Sequence, residues 1–234
     1  SASSVALIGG GSSPRPGEVS LATHGVLCLE EVLEFSRQTL DMLREPLETG
    51  EVRLSRAAQQ MTYPAKCQLI ATMNPCPCGY QGDSQRVCRC TPDQIARYRA
   101  RLSGPLLDRI DLHVRVNRPR SQALFQSARE EETSAVVAKR VLAARERMMA
   151  RQGEINAQLP ATRLLELMAL SDNVRQLLAT AAERMQLSPR SVHRAMRVAR
   201  TIADLDEAAA ISTQHMAEAL QMRGLDREPV SYTH

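Results

Sequence analysis

Two adjacent acids, Glu30 and Glu31, close the apolar run Val26-Leu27-Cys28-Leu29. Where such a run is a buried strand, one carboxylate at its tip can hold the water shell of Mg²⁺ and the next can orient an attacking water. Equally, two acids there can sit at the N-terminus of a following helix, where the dipole favours them. A second apolar run, Leu69-Ile70-Ala71-Thr72-Met73, delivers Asn74 at its end. An amide so placed can orient a water against a γ-phosphate, and Asn74-Pro75 is also a good turn starter. In Leu106-Leu107-Asp108-Arg109-Ile110-Asp111-Leu112, one arginine stands between acids. It can project onto a neighbouring subunit's nucleotide, where such an arginine contributes roughly 10³ to 10⁵ in rate, or form a local ion pair with Asp108 or Asp111 worth about 0 to 1 kcal/mol if exposed.

Cys76, Cys78, Cys88 and Cys90 form two tight pairs across a polar loop. Four thiolates so arranged suit a tetrahedral structural Zn²⁺, which would tie down a loop with little to bury; reduced structural thiols and disulfides are the alternatives. Cys28 and Cys67 lie in or beside apolar runs and are expected in the core. Arg190, Arg194 and Arg197 recur at helical spacing, either as a solvated face or as a stripe aimed at phosphates. The five histidines include no pair at metal-ligand spacing.

These residues need a frame. Before residues 117–121, short β-type runs (Val26 to Leu29, Gln68 to Thr72, Leu112 to Val116) alternate with helical stretches such as Glu31 to Leu47, the pattern of an α/β domain with a parallel sheet. Glu51-Val52-Arg53-Leu54-Ser55, after Thr49-Gly50, reads as one arm of a hairpin. Beyond that boundary glycine and proline become sparse and the apolar period becomes helical. Ser171 caps a helix whose Val174, Leu177, Leu178, Ala181, Ala182 and Met185 share a face. Ser188, with Pro189 at the first helical position, starts another with Val192, Ala195, Met196, Ala199, Ile202 and Ala203 buried. Ser212 or Thr213 opens a shorter one carrying Met216, Ala219 and Leu220. The expected domains are therefore 1–118 and 119–234.

Composition narrows the class. The 234 residues are 43% hydrophobic and 24% charged, with net charge +4, as expected of a folded globular chain. Only two of the 30 basic residues are lysines, Lys66 and Lys139; arginine favours planar recognition of phosphate and carboxylate. No run reaches the ~20 apolar residues of a membrane span, the opening lacks signal-peptide character, and six cysteines fall short of a secreted disulfide scaffold. Cytoplasm is the expected compartment, with no membrane partner. Neither lysine closes a Gly-Lys-Ser/Thr phosphate loop, and Gly9-Gly10-Gly11-Ser12-Ser13 leads instead into Pro14-Arg15-Pro16-Gly17 with no room for a helix start. With Ser1 in place of an initiator Met, this points to a piece of a longer protein.

Taken together, the chain resembles the bacterial magnesium-chelatase-like AAA+ ATPases of the ComM/YifB group and, more distantly, the magnesium-chelatase I subunit. The resemblance rests on Met73-Asn74-Pro75-Cys76-Pro77-Cys78-Gly79-Tyr80, Leu102-Ser103-Gly104-Pro105-Leu106-Leu107-Asp108-Arg109-Ile110-Asp111, Leu43-Arg44-Glu45-Pro46-Leu47-Glu48 and Val198-Ala199-Arg200-Thr201-Ile202-Ala203-Asp204-Leu205. It implies a truncated AAA+ (P-loop NTPase-like) α/β core with a C-terminal all-α lid. Gly25 to Glu31 would be the Walker B strand, Glu31 its catalytic carboxylate and Glu30 the Mg²⁺-side acid. Asn74 would be sensor 1, Arg109 the trans-acting arginine finger, and Arg190, in preference to Arg194, sensor 2. The cofactors implied are ATP and Mg²⁺, and the partners are further copies in a hexameric ring and DNA, on which the ComM group acts by branch migration. The family's usual Asp is Glu30 here, one methylene longer. The other readings are a non-enzymatic Zn-stabilised DNA-binding or assembly module and a true magnesium-chelatase subunit.

Overall fold

The computed structural model describes residues 3–11, 13–56, 59–117 and 132–227. They form a mixed helix-and-sheet region followed by a mostly helical one, and the chain divides between Arg109 and Ile110 into two compact units. The boundary expected at 118/119 falls at residues outside the described set.

The first unit begins with α1 (Ser4–Ile8), capped by the Ser3 hydroxyl, which accepts from the Ala6 N–H. β1 (Gly9–Gly10) pairs antiparallel with β2 (Arg15–Pro16), and α2 (Glu18–Leu21) follows. The glycine run thus makes a small ladder, and a one-turn helix does start just beyond it, after Gly17. A Cβ on Gly17 would collide with the backbone of Leu7, Ile8 and Gly9, so only glycine lets the two segments approach so closely.

β3 (Val26–Leu29) then pairs in parallel with β6 (Gln68–Ala71), in the register Val26↔Gln68 to Leu29↔Ala71. Between them lie a 3₁₀ turn (Val32–Glu34), α3 (Arg37–Asp41), α4 (Arg44–Thr49), β4 (Glu51–Arg56) and β5 (Gln59–Pro64). The single helical stretch expected over Glu31 to Leu47 is thus broken into three pieces. Glu31 takes a left-handed backbone (φ 49°, ψ 50°), and the Ser36 hydroxyl accepts from the Thr39 N–H, starting α3 afresh. The hairpin expected at Glu51 is present: β4 and β5 pair antiparallel, Val52 opposite Tyr63. Gly50, at φ 71°, ends α4 and turns the chain into β4, and a Cβ there would lie 2.9 Å from Lys66 Cγ. Leu27, Leu29, Val32, Leu33, Leu40, Leu43, Tyr98 and Leu106 share one core, each of the aliphatic ones contributing about 1.5–3 kcal/mol on burial.

α5 (Pro92–Arg99) starts with a full capping box, Thr91 with Gln94, and Pro92 at its first position; α6 (Gly104–Leu107) is capped by Ser103. The Ser103 hydroxyl also donates to Asp41.

In the second unit, Leu112 to Val116 is not a strand. It is extended with one isolated bridge, His113 to Arg223, and Leu112, Val114 and Val116 are exposed. A β-branched run makes a strand only when a partner ladder is available, and propensity alone does not supply one. The helices are α7 (Ser134–Gln152), α8 (Ala161–Met168), α9 (Asp172–Arg184), α10 (Pro189–Leu205) and α11 (Thr213–Gln221). Ser171, Ser188 and Ser212 are the N-caps of the last three, with side-chain cap bonds at Ser188 and Ser212. Val174, Leu178, Ala195, Met196, Ala199, Ile202, Ala203, Met216, Ala219 and Leu220 are buried in one core, as their spacing predicts. Among the described residues no helix is long and apolar enough to cross a membrane.

Candidate functional site

Alternation in β3 buries Leu27 and Leu29 and leaves Val26 and Cys28 exposed. Cys28 is therefore not a core residue, contrary to expectation, because a strand's side chains alternate faces and the face carrying Cys28 is uncovered among the described residues. Cys67 is half-buried.

The ladder continues one residue past β6, the Thr72 N–H donating to Leu29 O (2.9 Å). Thr72 then binds the chain that leaves β3: its hydroxyl accepts from the Glu31 N–H (3.2 Å) and its carbonyl from the Val32 N–H (2.8 Å). Glu30, Glu31 and the Thr72–Asn74 segment thus lie together at the carboxyl ends of two parallel strands, the end of an α/β sheet where ligands bind. Glu30, Glu31 and Asn74 are all exposed. The left-handed backbone at Glu31 costs of order 1 kcal/mol for a residue with a side chain, and the two bonds from Thr72 hold it.

Arg109 is tied within its own unit. Its Nε lies 3.1 Å from Glu48 Oε2, its NH1 donates to Pro105 O (2.6 Å), and its side chain is 9% exposed. One partner lies beyond the neighbouring acids: Glu48 at the end of α4, sixty-one residues away in sequence, which no local spacing reveals. Asp111 serves Arg194 instead, Oδ1 to NH1 at 2.5 Å.

The four cysteines converge. Cys76, Cys78 and Cys88 have sulfurs 3.4 to 3.6 Å apart, and with Cys90 all four lie within 4.8 Å of one another. Those separations exceed a disulfide bond of about 2.05 Å, and all six cysteines are free thiols. Four sulfurs about 2.3 Å from one Zn²⁺ in a tetrahedron stand about 3.8 Å apart, so the cluster fits a metal. Backbone N–H groups of Tyr80 and Arg89 bond to the Cys78 thiol and pull it down to about 6, whereas desolvation pushes Cys90 up to about 12. One thiol ionises readily and the next resists; a divalent cation removes that resistance.

In the second unit the expected arginine stripe on α10 splits. Arg190 is exposed on the first turn, Arg194 is engaged by Asp111, and Arg197 donates to Leu159 O from Nε (3.1 Å) and NH2 (2.7 Å). Further along α10 is a buried network that single-residue reading missed. Asp204, 1% exposed, accepts from Arg151 (2.6 and 2.9 Å) and Asn156 (2.8 Å) and pairs with Arg200 at 3.0 Å. Arg200 in turn donates to the Ala208 and Ala209 carbonyls. The available signal was Arg200 and Asp204 at i, i+4 on an otherwise apolar face.

With this geometry established, comparison places the chain. The family described as "Magnesium chelatase, subunit ChlI" matches residues 1–124, and its companion, "Magnesium chelatase, subunit ChlI C-terminal", matches residues 131–223. The chain belongs to the magnesium chelatase ChlI family, of AAA+-like architecture. It is 48% identical over 228 residues to the uncharacterized protein YifB of Salmonella typhimurium and 46% to that of Escherichia coli. It is also 46% identical over 227 residues to the competence protein ComM of Haemophilus influenzae. Each alignment covers 97% of this chain and 44% of the relative, so the chain spans less than half the length of these relatives.

Proposed function

We propose that this chain is the Walker B to lid portion of an ATP-hydrolysing, hexameric AAA+ motor that remodels DNA by branch migration. The observation that carries the reading is the joint placement of Glu30, Glu31 and Thr72–Asn74 at the carboxyl ends of β3 and β6. Glu31 polarises the attacking water, Asn74 orients it against the γ-phosphate, and Glu30 holds the hydration shell of Mg²⁺. Mg²⁺, bound with the nucleotide beside Glu30, would supply neutralisation of the phosphate charge. Arg109 acts on the nucleotide of the adjacent subunit after leaving Glu48. Arg190, exposed on the first turn of α10, is the sensor of the lid in preference to Arg194. The cysteine cluster holds a structural Zn²⁺, supported by its sulfur spacing.

DNA, rather than a porphyrin, is the preferred substrate. The competence protein among the relatives supports it, while the family description supports the chelatase alternative. The test is Mg²⁺-dependent phosphate release by the full-length protein, with and without branched DNA. Stimulation by branched DNA at low salt that fades steeply as salt rises is the expected result; turnover indifferent to DNA but raised by a porphyrin would favour the chelatase.

A further inference from the structure

The segment from Thr72 to Cys76 is held at both ends, and Asn74 stands exposed between the two holds. At one end, Thr72 is locked to the tip of β3 by three hydrogen bonds: its own N–H to Leu29 O, its hydroxyl to the Glu31 N–H and its carbonyl to the Val32 N–H. At the other, Cys76 is fully buried and its sulfur lies against those of Cys78 and Cys88. A third hold comes from α5. Arg99 donates from Nε to the Pro75 carbonyl (3.2 Å) and from NH2 to Gln81 Oε1 (2.7 Å), clasping the cysteine loop. The second pair of thiols leads straight into α5, since Thr91, which caps it, follows Cys90.

The loop buries little apolar surface of its own. From Pro75 to Thr91 only Cys76 is buried, and Val87 is 86% exposed. A metal joining Cys76 and Cys78 to Cys88 and Cys90 closes this loop and fixes the start of α5, and with it Arg99. Without the metal, four thiols and a few polar bonds must keep Pro75 and Cys76 in place.

We propose that the cysteine centre, loaded with Zn²⁺, is a positioning device for Asn74, setting the amide against Glu31 through Pro75, Cys76 and Arg99. Its role is thus not confined to loop stability. The inference rests on the ATPase reading for its catalytic consequence, but its structural half stands apart from that reading.

Two measurements test it. The first uses this 234-residue chain: metal content, and hydrogen exchange of the Glu31, Val32 and Thr72 amides, before and after Zn²⁺ removal by a chelator. About one Zn²⁺ per chain is expected, with exchange at those three amides at least tenfold faster after removal and that of the β4–β5 hairpin unchanged. Failure to bind Zn²⁺, or equal exchange with and without it, overturns the inference. The second uses the full-length protein with Cys88→Ser, Asn74→Ala and the pair combined, reading turnover alongside affinity for a fluorescent ATP analogue. Cys88→Ser should lower kcat about tenfold with analogue affinity within twofold, and should add nothing to the loss caused by Asn74→Ala. Losses that multiply in the pair, or an undiminished kcat in Cys88→Ser, refute the positioning role. If unsubstituted protein shows no turnover while exchange responds to Zn²⁺, the ATPase reading has failed and the structural link survives.

Discussion

Asp204→Asn should unfold the second unit more than any surface change, and the structure gives the size of the effect. The Asp204 carboxylate is 1% exposed and receives Arg151, Asn156 and Arg200, the last itself 4% exposed. The amide that replaces it keeps the shape but not the charge, leaving Arg200 buried with two carbonyls and no counter-ion. Removing one partner of a buried, hydrogen-bonded pair costs about 3–5 kcal/mol; Asn retains part of the hydrogen bonding, so about 3 kcal/mol is expected. For a unit of this size each kcal/mol is worth roughly 4 °C, giving a fall in Tm of about 12 °C by circular dichroism.

The pH dependence supplies an internal control. Burial alone would raise the Asp204 carboxyl, but the Arg151 and Asn156 hydrogen bonds and the Arg200 charge outweigh it and hold the group below the usual carboxylate range. Its folded pKa is depressed, so its stabilisation is complete above the unfolded value of about 4 and is lost as pH falls through the folded value. The gap between the two proteins should therefore narrow below about pH 4. A Tm within 2 °C of the unsubstituted chain at pH 7, or a gap that widens in acid, would refute this account of the network.

Further outcomes follow from the same geometry. Thr72→Val keeps the β-branch but removes the hydroxyl that accepts from Glu31; it should lower kcat of the full-length protein several-fold with KM unchanged, Thr72→Ser restoring it. Arg109→Ala should lower turnover by about 10³-fold or more. Mixing it with Glu31→Gln protein should recover activity if Arg109 acts across a subunit boundary, and the absence of any recovery would count against action in trans. Thr91→Ala, which breaks the capping box of α5, should cost about 1 kcal/mol in urea unfolding.

Local pattern was enough wherever one face of an element meets one core. The apolar runs at β3 and β6, the hairpin arm at Glu51 and the serine caps of α9 to α11 were legible because alternation, helical period and cap chemistry are local. α7 was missed because it buries only Ala144 and Met148, leaving its apolar period diluted by exposed Val and Leu. The run from Leu112 to Val116 misled because its β-branched residues have no ladder to join. α5 was legible in principle from Thr91-Pro92-Asp93-Gln94, a capping-box pattern overshadowed by the adjacent cysteines. At the site, the acids, the amide and the thiols could be picked out by type and spacing. What spacing could not reveal were long-range partners: Glu48 for Arg109, Thr72 for Glu31, and Asp204 for Arg151 and Asn156. Those depend on the folded chain bringing distant residues together.

The central claim is that the tip of β3 and the end of β6 form an ATP-hydrolysing site. Phosphate release by the full-length protein, with Mg²⁺ and against a Glu31→Gln counterpart, tests it most directly. Turnover by the unsubstituted protein and loss of at least about 99% of it in Glu31→Gln, with nucleotide binding retained, are the expected results. No turnover above blank is expected for this 234-residue chain alone, whose sequence contains no Gly-Lys-Ser/Thr phosphate loop. Equal turnover with and without the Glu31 carboxylate, or clear turnover by this chain alone, would contradict it.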